Sequence, residues 1–156
     1  MAREHHFAAR VTWTGAAEGP TRSYDSYARD YVVEIEGKPP LAGSSDPAFR
    51  GDATRHNPED LLIASLSACH LLWYLHLCAD AGIEVVAYQD EAGGTMARVD
   101  GKVRFTEVML RPRVAIAAGE VEQAKALHAR AHAECFIANS VNFPVRHQPT
   151  VERLTT

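Results

Sequence analysis

The sequence predicts an α+β fold, on three observations. Apolar residues recur at every second position near the N-terminus, and strand-like runs return between residues 83 and 116, as strands half-buried against a core require. Between them Leu61 to Ala79 runs without a single Asp, Glu, Lys or Arg, too long for a strand and bounded by helix signals. A second, shorter stretch from Glu120 carries its apolar residues on one helical face. Strands, long helix, strands, helix and strand in that order describe α+β, and 156 residues suit one domain spanning 1–156.

Phe7, Ala9, Val11 and Trp13 alternate with Ala8, Arg10, Thr12 and Thr14, which predicts a first strand. Gly15 to Pro20 is a turn, and Tyr31 to Ile35 a second strand. Gly37 to His56, rich in Pro, Gly, Ser and Asp, is a long loop or hides a short strand. Asn57 then offers a side-chain oxygen to free amides, Pro58 suits the first helical position, and Glu59 and Asp60 complement the helix dipole. The helix runs to about Ala81, with Gly82 as its left-handed stop; at 1.5 Å per residue it is roughly 36 Å long. Ile83 to Tyr88 is a strand, Gly93-Gly94 a turn, and Thr95–Val99 and Lys102–Ile116 form hairpin strands around Asp100-Gly101. Pro112 and a phase break near Glu107 predict a bulge or an edge position. The second helix spans Glu120 to about Ile137, with Val121, Ala124, Leu127, Ala131 and Cys135 on one face, and Val145 to Leu154 makes a last strand.

Net charge of -4 and a pI near 6.0 provide no basic footprint for nucleic acid or an anionic membrane, so neither is expected as a partner. The uncharged helix approaches the length of a membrane span. Ser65, Ser67, His70 and His76 within it, and acids at both ends, favour burial inside protein instead. Leu61, Leu62, Leu66, Leu71, Leu72, Leu75 and Leu77 lie all round its circumference. One small domain has little material to cover such a helix, so an obligate homodimer is expected. The first residues lack the apolar run of a secretory leader, and three cysteines are too few for a disulfide scaffold. The expected location is the cytoplasm, with reduced thiols and any disulfide catalytic.

Cys69 lies in the long helix and Cys135 at the end of the second. Cys78 is nine residues past Cys69, about 900° of rotation, and therefore on the opposite face; if a redox pair exists, Cys69 and Cys135 are the better candidates. Asn57-Pro58-Glu59-Asp60-Leu61-Leu62, followed by Ser67-Ala68-Cys69, resembles the signature of the OsmC/Ohr family of organic hydroperoxide reductases. The family has a glutamate ten residues before its reactive cysteine, the spacing of Glu59 and Cys69, and a second cysteine near the end of the second helix, the place of Cys135. Two departures stand out: Phe136 follows Cys135 where the family usually has proline, and His70 follows Cys69 where it often has phenylalanine.

The resemblance implies antiparallel sheets around a long buried central helix in an intertwined homodimer. It implies peroxidase chemistry, with Cys69 attacking an organic hydroperoxide, Cys135 resolving the sulfenic acid as a disulfide, and a dithiol reductant, of lipoyl type or another, restoring both. No cofactor is called for. Only a thiolate attacks the O–O bond, and a free thiol has a pKa near 8.5, so a cation must favour ionisation. The family uses an arginine held by the helix-start glutamate; Arg50 best matches one branch and Arg22 the other less well, with Glu59 as the glutamate. The apolar side chains Leu66, Leu72, Trp73, Phe136 and Phe143 favour an organic peroxide. Two other readings compete: a dimeric stress or ligand-binding protein with little turnover, and a metal site from His128, His132 and Cys135, which fall at i, i+4 and i+7 on one helix face.

Overall fold

The computed structural model describes residues 3–154. It is α+β, with two α-helices and three small sheets among the described residues. Two compact units divide it, Met1–Leu61 and Leu62–Thr156.

The first unit is built on an antiparallel sheet of β1 (Arg10–Trp13), β2 (Tyr31–Glu34) and β3 (Leu41–Gly43), in that order. Alternation from Phe7 overstates β1: Phe7 is 94% exposed, and pairing begins only at Arg10, opposite Glu34. The long loop does hide a strand, β3, followed by a short 3-10 turn at Pro47–Phe49. Helix α1 (Pro58–Asp80) begins in this unit and continues into the second. Its start is a reciprocal cap: Asn57 Oδ1 accepts from the Asp60 amide at 2.8 Å, and Asp60 Oδ2 accepts from the Asn57 amide at 3.2 Å. At the other end Gly82 takes φ +68, the left-handed stop the sequence predicts.

The second unit holds two mixed sheets. One orders β4 (Glu84–Asp90), β7 (Pro112–Ala118) and β9 (Thr150–Arg153); the other orders β5 (Gly93–Val99), β6 (Lys102–Leu110) and β8 (Val145–His147). The expected antiparallel pairing holds for β4–β7 and β5–β6, while β6–β8 and β7–β9 pair in parallel. The last segment is two strands rather than one. β8 and β9 each join a different sheet, because the chain leaves one at His147 and enters the other at Thr150.

Asp100 (φ +49) and Gly101 (φ +79) make the left-handed hairpin turn between β5 and β6. The phase break is a bulge: Thr95 faces Glu107 and Met96 faces Phe105, which leaves Thr106 unpaired. Gly93 and Gly94 are not a turn but the start of β5. A Cβ at Gly94 would meet the Phe105 ring at 2.7 Å, so close ring approach, not chain reversal, calls for glycine there. Pro112 sits in the central strand β7 rather than at an edge; it is tolerated as that strand's first residue.

Two apolar clusters fill this unit. Leu66 of α1 packs with Val108, Leu110 and Val145 of β6 and β8. Farther along, Tyr74, Leu77 and Cys78 pack with β7 and with α2 (Val121–Glu134) through Ala124, Leu127 and Ala131. The long helix is not buried on all sides within one chain: only 28% of its apolar window is buried. Ala64, Ala68, Leu72, Leu75 and Ala79 recur every three or four residues as an exposed apolar stripe, Leu72 being 66% exposed. Among the described residues there is a single other α-helix, α2, and it packs against one side of α1.

Candidate functional site

The second unit brings two of the sequence-predicted residues together. Cys69, half-buried, lies in the middle of α1, and Cys135, buried, closes the C-terminus of α2. The α2 helix ends there because Cys135 leaves helical geometry at ψ 111; its amide still bonds back to the His132 carbonyl at 3.3 Å. The chain then turns tightly, and the Ala138 amide points at Cys135 Sγ from 3.4 Å. Burial, first, and then the Cys69 thiol bonded beside it push the Cys135 thiol up to about 11, against the pull of the Ala138 and Ile137 amides. Cys135 is therefore a protonated thiol at neutral pH. The two sulfurs differ in exposure: Cys69 is half-buried and Cys135 is buried.

The helix carrying Cys69 is tied down two residues earlier. Ser67 Oγ donates to Asp90 Oδ2 at 2.6 Å, while Asp90 Oδ1 accepts from the Arg111 amide at 2.6 Å, so one carboxylate joins α1 to the sheet strands. One turn beyond Cys69, the Trp73 ring meets Phe136 edge-on at 5.4 Å. Phe136 is 67% exposed, so these two rings form an apolar shelf that flanks the cysteines in sequence and in space. The other predicted apolar neighbours are elsewhere: Leu66 and Phe143 belong to the β6–β8 core, and Leu72 to the exposed stripe of α1.

Cys78 is buried among Tyr74 and its neighbours, on the far face of the helix from Cys69. Burial raises its thiol, and the Tyr74 hydroxyl beside it pulls the other way. No disulfide links the three cysteines.

Arg50 and Glu59 belong to the first unit. Arg50 ends the 3-10 turn with φ +66 and lines a polar pocket of about 380 Å³ with Arg29, Asp30 and Asp52. Glu59, in the first turn of α1, faces Tyr31: burial and then the Glu59 and Asp60 carboxylates push the Tyr31 phenol up. Among the described residues no ion pair joins Arg50 to Glu59. Arg22 lies in an exposed turn where its amide bonds Ser26 Oγ at 2.9 Å.

The proposed metal trio does not converge. Cys135 turns to Cys69, whereas His128 turns to α1, where its Nδ1 lies 2.9 Å from His70 Nε2 and its ring stacks on Tyr74 with centroids 3.8 Å apart. Among the described residues no group of three His, Cys, Asp or Glu is placed to hold a metal ion.

The histidine pair is the main feature that reading the sequence missed. Both rings are buried, and the half-buried His147 and His132 stand near them. Burial is the largest cause lowering all three affected imidazoles: His70 to about 4 and His128 to about 3, with His147 lowered as well. A signal was present. His128 falls in the spacing 121, 124, 128, 131, 135, the stripe of α2 that faces inward.

Residues 51–149 match the family model described as OsmC-like protein. The chain belongs to this family. An OsmC-like protein of unknown function from Vibrio cholerae superposes with a TM-score of 0.85 at 29% identity, over 94% of this chain and 100% of that one. An organic hydroperoxide resistance protein from Elizabethkingia anophelis gives 0.71 at 20% identity, covering 99% and 100%. One from Legionella pneumophila gives 0.68 at 19%, covering 97% and 99%. The last two likenesses concern the fold. No curated protein matches the chain.

Proposed function

We propose that this OsmC-like protein is a thiol-dependent peroxidase that reduces organic hydroperoxides in the cytoplasm. The observation that carries the reading is the unequal pair: half-buried Cys69 beside buried, protonated Cys135. The Cys69 thiolate attacks one oxygen of ROOH; the O–O bond breaks, the departing alkoxide takes a proton to leave as alcohol, and Cys69 becomes a sulfenic acid. The Cys135 sulfur then attacks the sulfenic sulfur. Its proton leaves with the hydroxyl as water, and an S–S bond forms. A dithiol reductant returns both thiols and is itself oxidised to a disulfide. The Trp73–Phe136 shelf suits the apolar part of an organic peroxide.

Intact mass tests this directly. One equivalent of an organic hydroperoxide should remove two hydrogens per chain, mapping to Cys69–Cys135. An unchanged mass would leave the reading of a dimeric stress or ligand-binding protein with little turnover.

The same proposal includes a homodimer, supported by the exposed stripe of α1. Covering Ala68, Leu72 and Leu75 with a second copy supplies what a single chain lacks. In this assembly Arg50 of one chain is the cation for Cys69 of the other. Leu72→Glu should shift sedimentation equilibrium from dimer towards the 17.1 kDa monomer. Mixing Cys69→Ser chains with Arg50→Ala chains should restore activity, since each mixed dimer then has one complete site. A fully active wild-type monomer would refute this part.

A further inference from the structure

The side chains that join α1 to α2 near the cysteines include one polar contact with unusual geometry. His70 Nε2 and His128 Nδ1 are 2.9 Å apart, the ring planes are within 8° of each other, and the centroids are 5.2 Å apart. A short N···N distance with coplanar, well-separated centroids means the rings meet edge to edge, nitrogen to nitrogen. One ring donates the bridging N–H and the other accepts it, which two neutral imidazoles of complementary tautomer satisfy.

This arrangement is costly for the fold. His70 Nδ1 and His128 Nε2, the outward nitrogens, are buried without a partner. Two apolar side chains of similar volume would fill the same space without that penalty. The hydrogen bond supplies something they would not: direction. Apolar surfaces can slide over each other, whereas an N–H···N bond weakens steeply when its angle changes. The Tyr74 face, stacked on His128, limits rotation of that ring further.

The position of the pair gives that direction a use. His70 is the residue after Cys69, and His128 is seven residues, about two turns, before Cys135 on the inward face of α2. A disulfide needs its Cβ atoms about 3.5–4.5 Å apart, so a small slip of α2 along α1 would take Cys135 out of reach. We propose that His70 and His128 are positioning residues, whose in-plane hydrogen bond sets the register of α2 on α1 at which Cys135 meets Cys69. This rests on the reading of Cys69 and Cys135 as a working dithiol. It requires no peroxide.

The test is the equilibrium between dithiol and disulfide in glutathione buffers of graded redox poise, read by intact mass and peptide mapping. The effective concentration of Cys135 at Cys69 should fall at least about tenfold in His70→Leu and in His128→Leu. His128→Asn, whose amide can occupy the place of Nδ1, should stay within about threefold of wild type. The double variant His70→Leu with His128→Leu should unfold in urea at a midpoint no lower than wild type, yet still lose effective concentration. Leucine variants with a wild-type effective concentration would overturn the proposal. So would an asparagine variant that falls with the leucine variants while all lose stability in parallel, because the pair would then be merely structural. A wild type that forms the disulfide in glutathione but ignores organic hydroperoxides ends the peroxidase reading and supports this one. A wild type that never forms it refutes the positioning role.

Discussion

Cys69→Ser is expected to lose peroxide consumption by at least ~10³-fold, while Cys135→Ser still consumes one equivalent and stops at a sulfenic acid on Cys69. The asymmetry follows from the environments of the two sulfurs. Cys69 is reachable from solvent, and Cys135 is buried and held protonated. A group with a thiol pushed up to about 11 makes a poor first nucleophile at neutral pH. It can still attack a sulfenic acid presented directly beside it. Single-turnover peroxide assays with a sulfenic-acid probe separate the two steps. If Cys69→Ser turned over once at the wild-type rate, the roles would be wrong. Cys78→Ser should remain near wild type, because Cys78 is buried against Tyr74 on the other side of the helix.

The second large effect is on stability. Both histidines of the buried pair bind protons less readily in the fold than in the unfolded chain, where the imidazole pKa is near 6.5. Their contribution is fully present above pH 6.5. As pH falls from 6.5 towards 4 the unfolded chain takes up protons that the native pair refuses, and stability is lost. With each pKa unit worth about 1.4 kcal/mol, the loss by pH 4 is on the order of several kcal/mol. The groups facing the pair do not offset it. Tyr74 lies against His128, Tyr88 against Tyr74, and His132 and His147 complete the surround; of these, His147 is lowered too and adds to the loss. Urea midpoints at pH 7, 6 and 5 should fall steeply for wild type. They should fall much less for the variant with leucine at both positions. Equal slopes would show that the pair is protonated, or hydrated, in the native state.

Much of the fold was legible in local chemistry. The Asn57–Asp60 cap, the Gly82 stop and the Asp100-Gly101 hairpin turn depend on neighbours within a few residues, and each appears where its residues call for it. The bulge near Glu107 was legible for the same reason, since an extra residue breaks a period of two. Where partners are distant, local reading failed. Nothing in Gly93-Gly94 distinguishes a turn from a strand pressed against Phe105. Nor does Val145–Leu154 announce that its two halves join different sheets.

The candidate site divides in the same way. The sequence by itself determined which cysteines lie on which helix face, because helical rotation is periodic: Cys69 and Cys78 had to diverge, and Cys135 had to end the inward stripe of α2. It also determined that the long helix is apolar all round, a matter of composition alone. Only the tertiary structure decided that Cys135 is the buried partner of the pair, with its thiol pushed up by burial and by the sulfur packed beside it. Only the tertiary structure turned His128 away from a metal trio and against His70, a contact between residues 58 positions apart. A hydrogen bond of that kind depends on the angle between two helices, and no local pattern encodes that angle.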